Sequence, residues 1–171
     1  MAEMQDLSRL KAMIHYIVEA APYRSFGKVK LNKMLWFADR DMYIRTGQTI
    51  SHDAYLRYPQ GPVSKNILEA LNELQEEGKL HIRKERVITY EQFFYVSLAE
   101  PDISIFNGEE ISAIGRAIAL IAPLTAEQAS SLSHDRVWQI FGPNEEIPMY
   151  AVLAADTGEL DADELKLALG E

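Results

Sequence analysis

The stretch Lys28–Thr46 constrains the fold more than any other part of the chain. Leu31, Met34, Leu35, Ala38 and Met42 make one apolar stripe of helical period, and Val29, Trp36, Phe37, Tyr43 and Ile44 make a second. A helix apolar on two faces has to be covered on both, so it is expected at the centre of the structure. Gly47 follows as the residue that ends it.

The other segments arrange themselves around that helix. Leu7, Leu10, Ile14, Ile17, Val18 and Ala21 predict a first helix over about Leu7–Ala21, with Asp6 as N-cap and Pro22 as the stop. Gln48–Gly61 reads as irregular. A third helix is expected to open at Pro62, with Val63, Ile67, Leu71 and Leu74 as its stripe and Gly78 as its close. The β-branched and aromatic residues of Leu80–Tyr90 and Phe93–Leu98 predict a hairpin turning near Glu91-Gln92. Asn107 with Glu110, Thr125 with Gln128, and Asp161 with Glu164 spell three capping boxes, each opening a helix. Gly142–Gly158 carries Pro143, Pro148 and one apolar run, Met149–Leu153. The expected class is mainly α (α+β): a compact helical domain spanning 1–171 with one small β-hairpin. In the first 100 residues the order is winged-helix-like.

Composition then narrows function. The 171 residues are 47% hydrophobic and 25% charged, an ordinary globular balance. With no cysteine there is no disulfide framework, no thiolate metal site and no cysteine nucleophile. The longest run without a charge is Ala117–Ala126, too short for a membrane span, and the N-terminus lacks a signal-peptide pattern. A cytoplasmic protein is expected. The net charge of −9 is unevenly placed: residues 1–100 sum to +1 and residues 101–171 to −10.

Chemistry-bearing motifs are sparse. His15, His52, His81 and His134 show no ligand spacing, and no GxSxG, P-loop or GxGxxG occurs. Asp39 and Asp41 read as the solvated edge of a buried helix. No catalytic residue, metal or cofactor is therefore expected, and the chain does not read as an enzyme. Two basic clusters remain: Arg24, Lys28, Lys30 and Lys33, then Lys79, His81, Arg83, Lys84 and Arg86. With Lys65, residues Lys79, Arg83, Lys84 and Arg86 are the candidate nucleic-acid contacts of a winged-helix-like regulator. Glu69, Glu73, Glu76 and Glu77 on the would-be reading helix oppose phosphate approach, which makes DNA the lesser expectation.

The string KLNKMLWFADRDMYIRTGQTI (Lys30–Ile50), then Gly61-Pro62-Val63, then Leu132-Ser133-His134-Asp135…Trp138, resembles the Panacea domain of SocA-like (GepA-like) antitoxins. Many members have an aromatic residue before Gly-Pro-Val, where this chain has Tyr58-Pro59-Gln60. The resemblance implies an antitoxin from a toxin–antitoxin pair, of the kind carried on mobile genetic elements. Its partner would be a cognate toxin encoded nearby and neutralised by direct binding. One branch of the family delivers its toxin to a Clp-type protease, and the resemblance leaves that partner open. Binding hot spots favour exposed aromatic anchors, so Trp36, Tyr43, Tyr55 and Tyr58 are the candidate toxin contacts, each with core or plain surface as the competing reading.

Overall fold

The computed structural model describes residues 5–21 and 26–156. Along them run α1 (Ser8–Ala20), α2 (Lys28–Thr46), β1 (Tyr55–Tyr58), β2 (Gly61–Ser64), α3 (Ile67–Glu76), β3 (Leu80–Val87) and β4 (Tyr90–Ser97). There follow α4 (Gly108–Ile121), α5 (Ala126–Ser133), α6 (Arg136–Ile140), β5 (Glu146–Ile147) and α7 (Ala151–Asp156). This is the α+β architecture expected. The Pro22 stop, Arg24 and the Asp161–Glu164 capping box lie outside the described residues.

The two apolar faces of α2 are both covered. It packs against α1, α4, α5, α7 and β2, and Leu31, Met34, Leu35, Trp36, Ala38 and Met42 are buried. Gly47 closes it in the left-handed region (φ 77°), its N–H donating to the Tyr43 carbonyl at 2.8 Å. At the other termini local chemistry also decides. Asn107 and Glu110 form a complete capping box on α4, and Thr125 and Gln128 form one on α5. On α1 the helix starts one residue later than expected, at Ser8, yet the Asp6 carboxylate still accepts the Ser8 N–H at 2.9 Å.

Three boundaries differ from the sequence expectation. Pro62 does not open a helix: it lies in β2, and α3 begins only at Ile67. Gln48–Gly61 is not wholly irregular, because β1 forms within it. β1 pairs antiparallel with β2 (Tyr55↔Ser64 to Tyr58↔Gly61) and, on its other side, with β5 (Tyr55↔Ile147). β2 is thus an edge strand, the one sheet position that tolerates a residue without an N–H. The described residues therefore hold a second small sheet beside the expected hairpin, its β1–β2 pair inserted between α2 and α3 and its third strand, β5, arriving after α6.

The third difference is the hairpin tip. β3 and β4 pair from Leu80↔Ser97 to Val87↔Tyr90, so the turn is Ile88-Thr89, three residues short of the expected position. Two-residue hairpin turns need positive φ, and Ile88 supplies it at φ 40° while 95% exposed. A β-branched side chain is strained there, by about 1–2 kcal/mol. Ile88→Asn is expected to raise stability by about 1 kcal/mol, some 2–4 °C in Tm, measurable by thermal unfolding.

Candidate protein-docking surface

An edge strand exposes the backbone groups that face away from its partner. In β2 those of alternate residues point outward, and side chains of α2 take them. Asn32 Oδ1 accepts the Ser64 N–H at 3.0 Å, while its Nδ2 donates to the Lys28 carbonyl at 3.0 Å. Lys33 Nζ donates to the Pro62 carbonyl at 3.0 Å. The Leu31-Asn32-Lys33 step of α2 therefore covers the strand edge. Lys33 is 1% exposed, and burial pushes its ammonium down to about 7. Gly61 sits directly over it at φ 112°. A Cβ at that position would lie 2.1 Å from Ser133 Oγ and 2.6 Å from Lys33 Nζ, so only glycine fits both the backbone and the space.

Two buried carboxylates fasten the segment that leads into β1. Asp39, fully buried, accepts the N–H groups of Ile50 (2.7 Å) and Ser51 (3.0 Å), the Ser51 hydroxyl and the Tyr55 hydroxyl (2.7 Å). Burial raises its pKa and these four donors act against the rise. Asp53 accepts the Ser64 hydroxyl, the Asn66 N–H at 3.1 Å and Asn66 Nδ2 at 2.6 Å, which ties β2 to the start of α3. The solvated-edge reading of Asp39 is thus corrected, and so is the placing of Lys33 in a surface basic cluster. Asp41 does lie at a partly exposed edge, paired with Arg45 and Arg116.

The turn between β1 and β2 is clamped from outside by α5 and α6. Ser130 Oγ donates to the Gln60 carbonyl at 2.7 Å, and Trp138 Nε1 donates to the Tyr58 carbonyl at 3.0 Å. Arg57 Nε donates to the Trp138 carbonyl at 2.8 Å, and its guanidinium lies 3.9 Å from the indole centroid. His134 stacks on the same indole at 4.0 Å. Burial holds the His134 pKa down, against a hydrogen bond with the Pro59 carbonyl. The turn is held from beneath by α2 and from the side by Leu132–Trp138.

Beside this clamped turn lies an open groove of about 420 Å³, lined by Tyr58, Pro59 and Gln60 of the turn, Val63 and Ser64 of β2, Ile67 and Leu68 of α3, and Lys28 and Lys65. Its lining contains no carboxylate. Tyr58 (37% exposed) and Leu68 (63%) present apolar surface to water at its rim.

The candidate toxin contacts divide accordingly. Trp36 and Tyr55 are fully buried and meet edge to face, ring centroids 5.0 Å apart. They take the competing core reading, and neither offers a surface. Tyr43 is partly buried against the core. Tyr58 alone of the four lines the groove. Among the candidate nucleic-acid contacts, Lys65 also lines it, while Lys79, Arg83, Lys84 and Arg86 stand exposed on or beside β3. A helix of about 15 Å, α3, separates Lys65 from Lys79. Lys79 is paired with Glu77 (3.0 Å) and Arg83 with Glu85 (2.9 Å), which removes part of the charge a phosphate backbone would need. Sequence reasoning missed Leu68. Its signal was phase: it is an apolar residue outside the Ile67, Leu71, Leu74 stripe of α3.

The described residues thus make an α+β fold whose motif residues build a braced turn beside an apolar, lysine-rimmed groove. A family model, antitoxin SocA-like, Panacea domain, matches residues 31–139, from the strand-covering end of α2 to the residue after Trp138. The chain belongs to that family. No curated protein and no solved structure matches it. Among the described residues no helix is long and apolar enough to cross a membrane.

Proposed function

We propose that this chain is an antitoxin that neutralises a cognate, nearby-encoded toxin by direct binding, with the groove beside the β1–β2 turn as the docking surface. Family membership supports the antitoxin role and a toxin partner in general. The choice of surface rests on one observation: Tyr58 and Leu68 leave apolar area in water on a frame that hydrogen bonds hold rigid from two sides. A rigid surface loses little conformational entropy on binding, which favours affinity. The toxin must cover more than the groove itself, since stable interfaces bury about 1,200–2,000 Å².

The test is co-expression with the neighbouring reading frame. That frame alone arrests growth, and this chain restores it and co-purifies with its product. Leu68→Asp changes an exposed position, so folding stability stays within about 0.5 kcal/mol. It places a charge in the apolar contact, and rescue is lost. Full rescue by Leu68→Asp together with Tyr58→Ala would move the docking site elsewhere, and a harmless neighbour would remove the antitoxin reading for this pair.

A further inference from the structure

The frame around the groove decides which kind of chain can enter it. Much of the backbone at its edge is already bonded. The Tyr58, Pro59 and Gln60 carbonyls accept from Trp138, His134 and Ser130, and the Pro62 carbonyl accepts from Lys33. The Ser64 N–H donates to Asn32. An extended segment binds a sheet edge through main-chain hydrogen bonds, and here those positions are occupied. A strand laid against them would bring N–H and C=O groups without partners. An α-helix bonds its own backbone and needs only side-chain contacts, so the closed edge favours a helix.

Charge narrows the choice further. The apolar surface of Tyr58, Val63 and Leu68 lies beside two ammonium groups, and the lining holds no carboxylate. Lys28 opens α2 and Lys65 precedes α3; both are exposed. Neither forms an ion pair among the described residues. On the β3–β4 hairpin, by contrast, Lys79 and Arg83 already hold carboxylate partners. An incoming carboxylate therefore meets unopposed positive charge at the groove. We propose that the toxin element received by this groove is an acidic amphipathic helix. Its apolar residues at i, i+3 or i+4, and i+7 cover Tyr58, Val63 and Leu68, and the Asp or Glu residues flanking that stripe face Lys28 and Lys65. This depends on the docking role given to the groove above.

The test uses the full chain and three synthetic peptides of about 18 residues, long enough to form a helix, so the toxin itself is not needed. All carry leucine at i, i+4, i+7 and i+11. The first has Glu at the flanking positions, the second has Lys there, and the third is the first with a central Pro. Fluorescence anisotropy at about 0.15 M salt, where charges beyond about 8 Å are screened, compares them. The Glu peptide is expected to bind at least tenfold tighter than the Lys peptide, although the chain's net charge of −9 opposes that order. Lys28→Glu with Lys65→Glu abolishes the preference, and Leu68→Asp weakens binding tenfold or more. Lys79→Glu with Arg86→Glu, on the hairpin, changes it less than twofold. The Pro peptide binds at least fivefold more weakly than its parent. Absent binding of the Glu peptide, equal binding of the Glu and Lys peptides, or a preference that survives Lys28→Glu with Lys65→Glu would overturn the proposal. Equal binding of the Pro peptide would overturn the helix. A dimer in sedimentation that Leu68→Asp dissociates would overturn it in favour of a second copy as the occupant. Growth rescue on co-expression is read separately. Rescue without the peptide preference keeps the antitoxin reading and removes the acidic helix. The preference without rescue keeps the groove's selectivity and removes the toxin as the source of the helix, which overturns the proposal as stated.

Discussion

Between pH 7 and pH 10 the unfolding free energy of the chain rises, and Lys33→Met removes most of the rise. In the unfolded chain the Lys33 ammonium titrates near 10.5, and in the folded chain burial lowers this to about 7. Between those values the unfolded state binds the proton and the folded state does not, so stability increases with pH. Below about 7 the folded state holds a buried charge whose only described partner is the Pro62 carbonyl. The full gap corresponds to about 4–5 kcal/mol, an upper bound reached near pH 10.5. Methionine has a similar length and no charge. It leaves the Pro62 carbonyl without its donor, at about 1–3 kcal/mol, whatever the pH. The two stability curves are therefore expected to cross: the variant is more stable at pH 6 and less stable at pH 10.

Urea titrations at unit pH intervals measure this. His15 and His134, both held below their ordinary values by burial, add a rise in both proteins that ends near pH 6.5. Lys30, also lowered by burial, acts in both near the top of the range, and the raised Tyr55 and Tyr95 act above pH 10. Above pH 7 the difference between the two curves thus isolates Lys33; below it His134, whose pKa the Lys33 charge also lowers, contributes to the difference. Parallel curves would show that the Lys33 amine is not buried as an unpaired group.

Asp39→Ala is expected to cost about 3–5 kcal/mol, a large share of the 5–15 kcal/mol that holds a typical protein together. The carboxylate receives four donors from Ile50, Ser51 and Tyr55, and alanine leaves all of them buried without an acceptor. In a chain of this size the loss lowers Tm by about 10 °C. Asp41→Ala, two residues along the same helix, removes only partly exposed pairs with Arg45 and Arg116 and is expected to cost less than about 1 kcal/mol. Thermal and urea unfolding of both variants checks the contrast. Equal losses would mean that the Asp39 network does not anchor β1 to α2.

These two residues also mark where the sequence stopped being readable. The apolar stripes of α1, α2 and α4 need only helical period, and the capping boxes at Asn107 and Thr125 need only residues three apart, so both were legible along the chain. The hairpin was legible too, but not its tip: Ile88 is a poor turn residue, and pairing in register from Leu80↔Ser97 forces it into the turn. Pro62 was ambiguous for a physical reason. The first turn of a helix and the outer side of an edge strand both accept a residue without an N–H. The choice fell to β1 and to Lys33, which takes the Pro62 carbonyl. Lys33 and Asp39 read locally as groups for water, because each is expensive to bury alone. Their partners, Pro62, Ile50, Ser51 and Tyr55, lie 11 to 29 residues away along the chain.

The same division holds for the proposed docking surface. Tyr58 and Lys65 were named from the sequence as members of two different hypotheses, one for protein and one for nucleic acid, and the fold places both on one groove with Leu68. The sequence by itself determined the central helix, the termini set by caps, the charge asymmetry and the motif order of a Panacea-domain antitoxin, because each follows from neighbours within a few turns or strands. Only the tertiary structure decided which polar groups are buried, which aromatics are core and which surface stays open. Those outcomes depend on long-range hydrogen bonds that bring α2, β2 and the Leu132–Trp138 segment together around one turn.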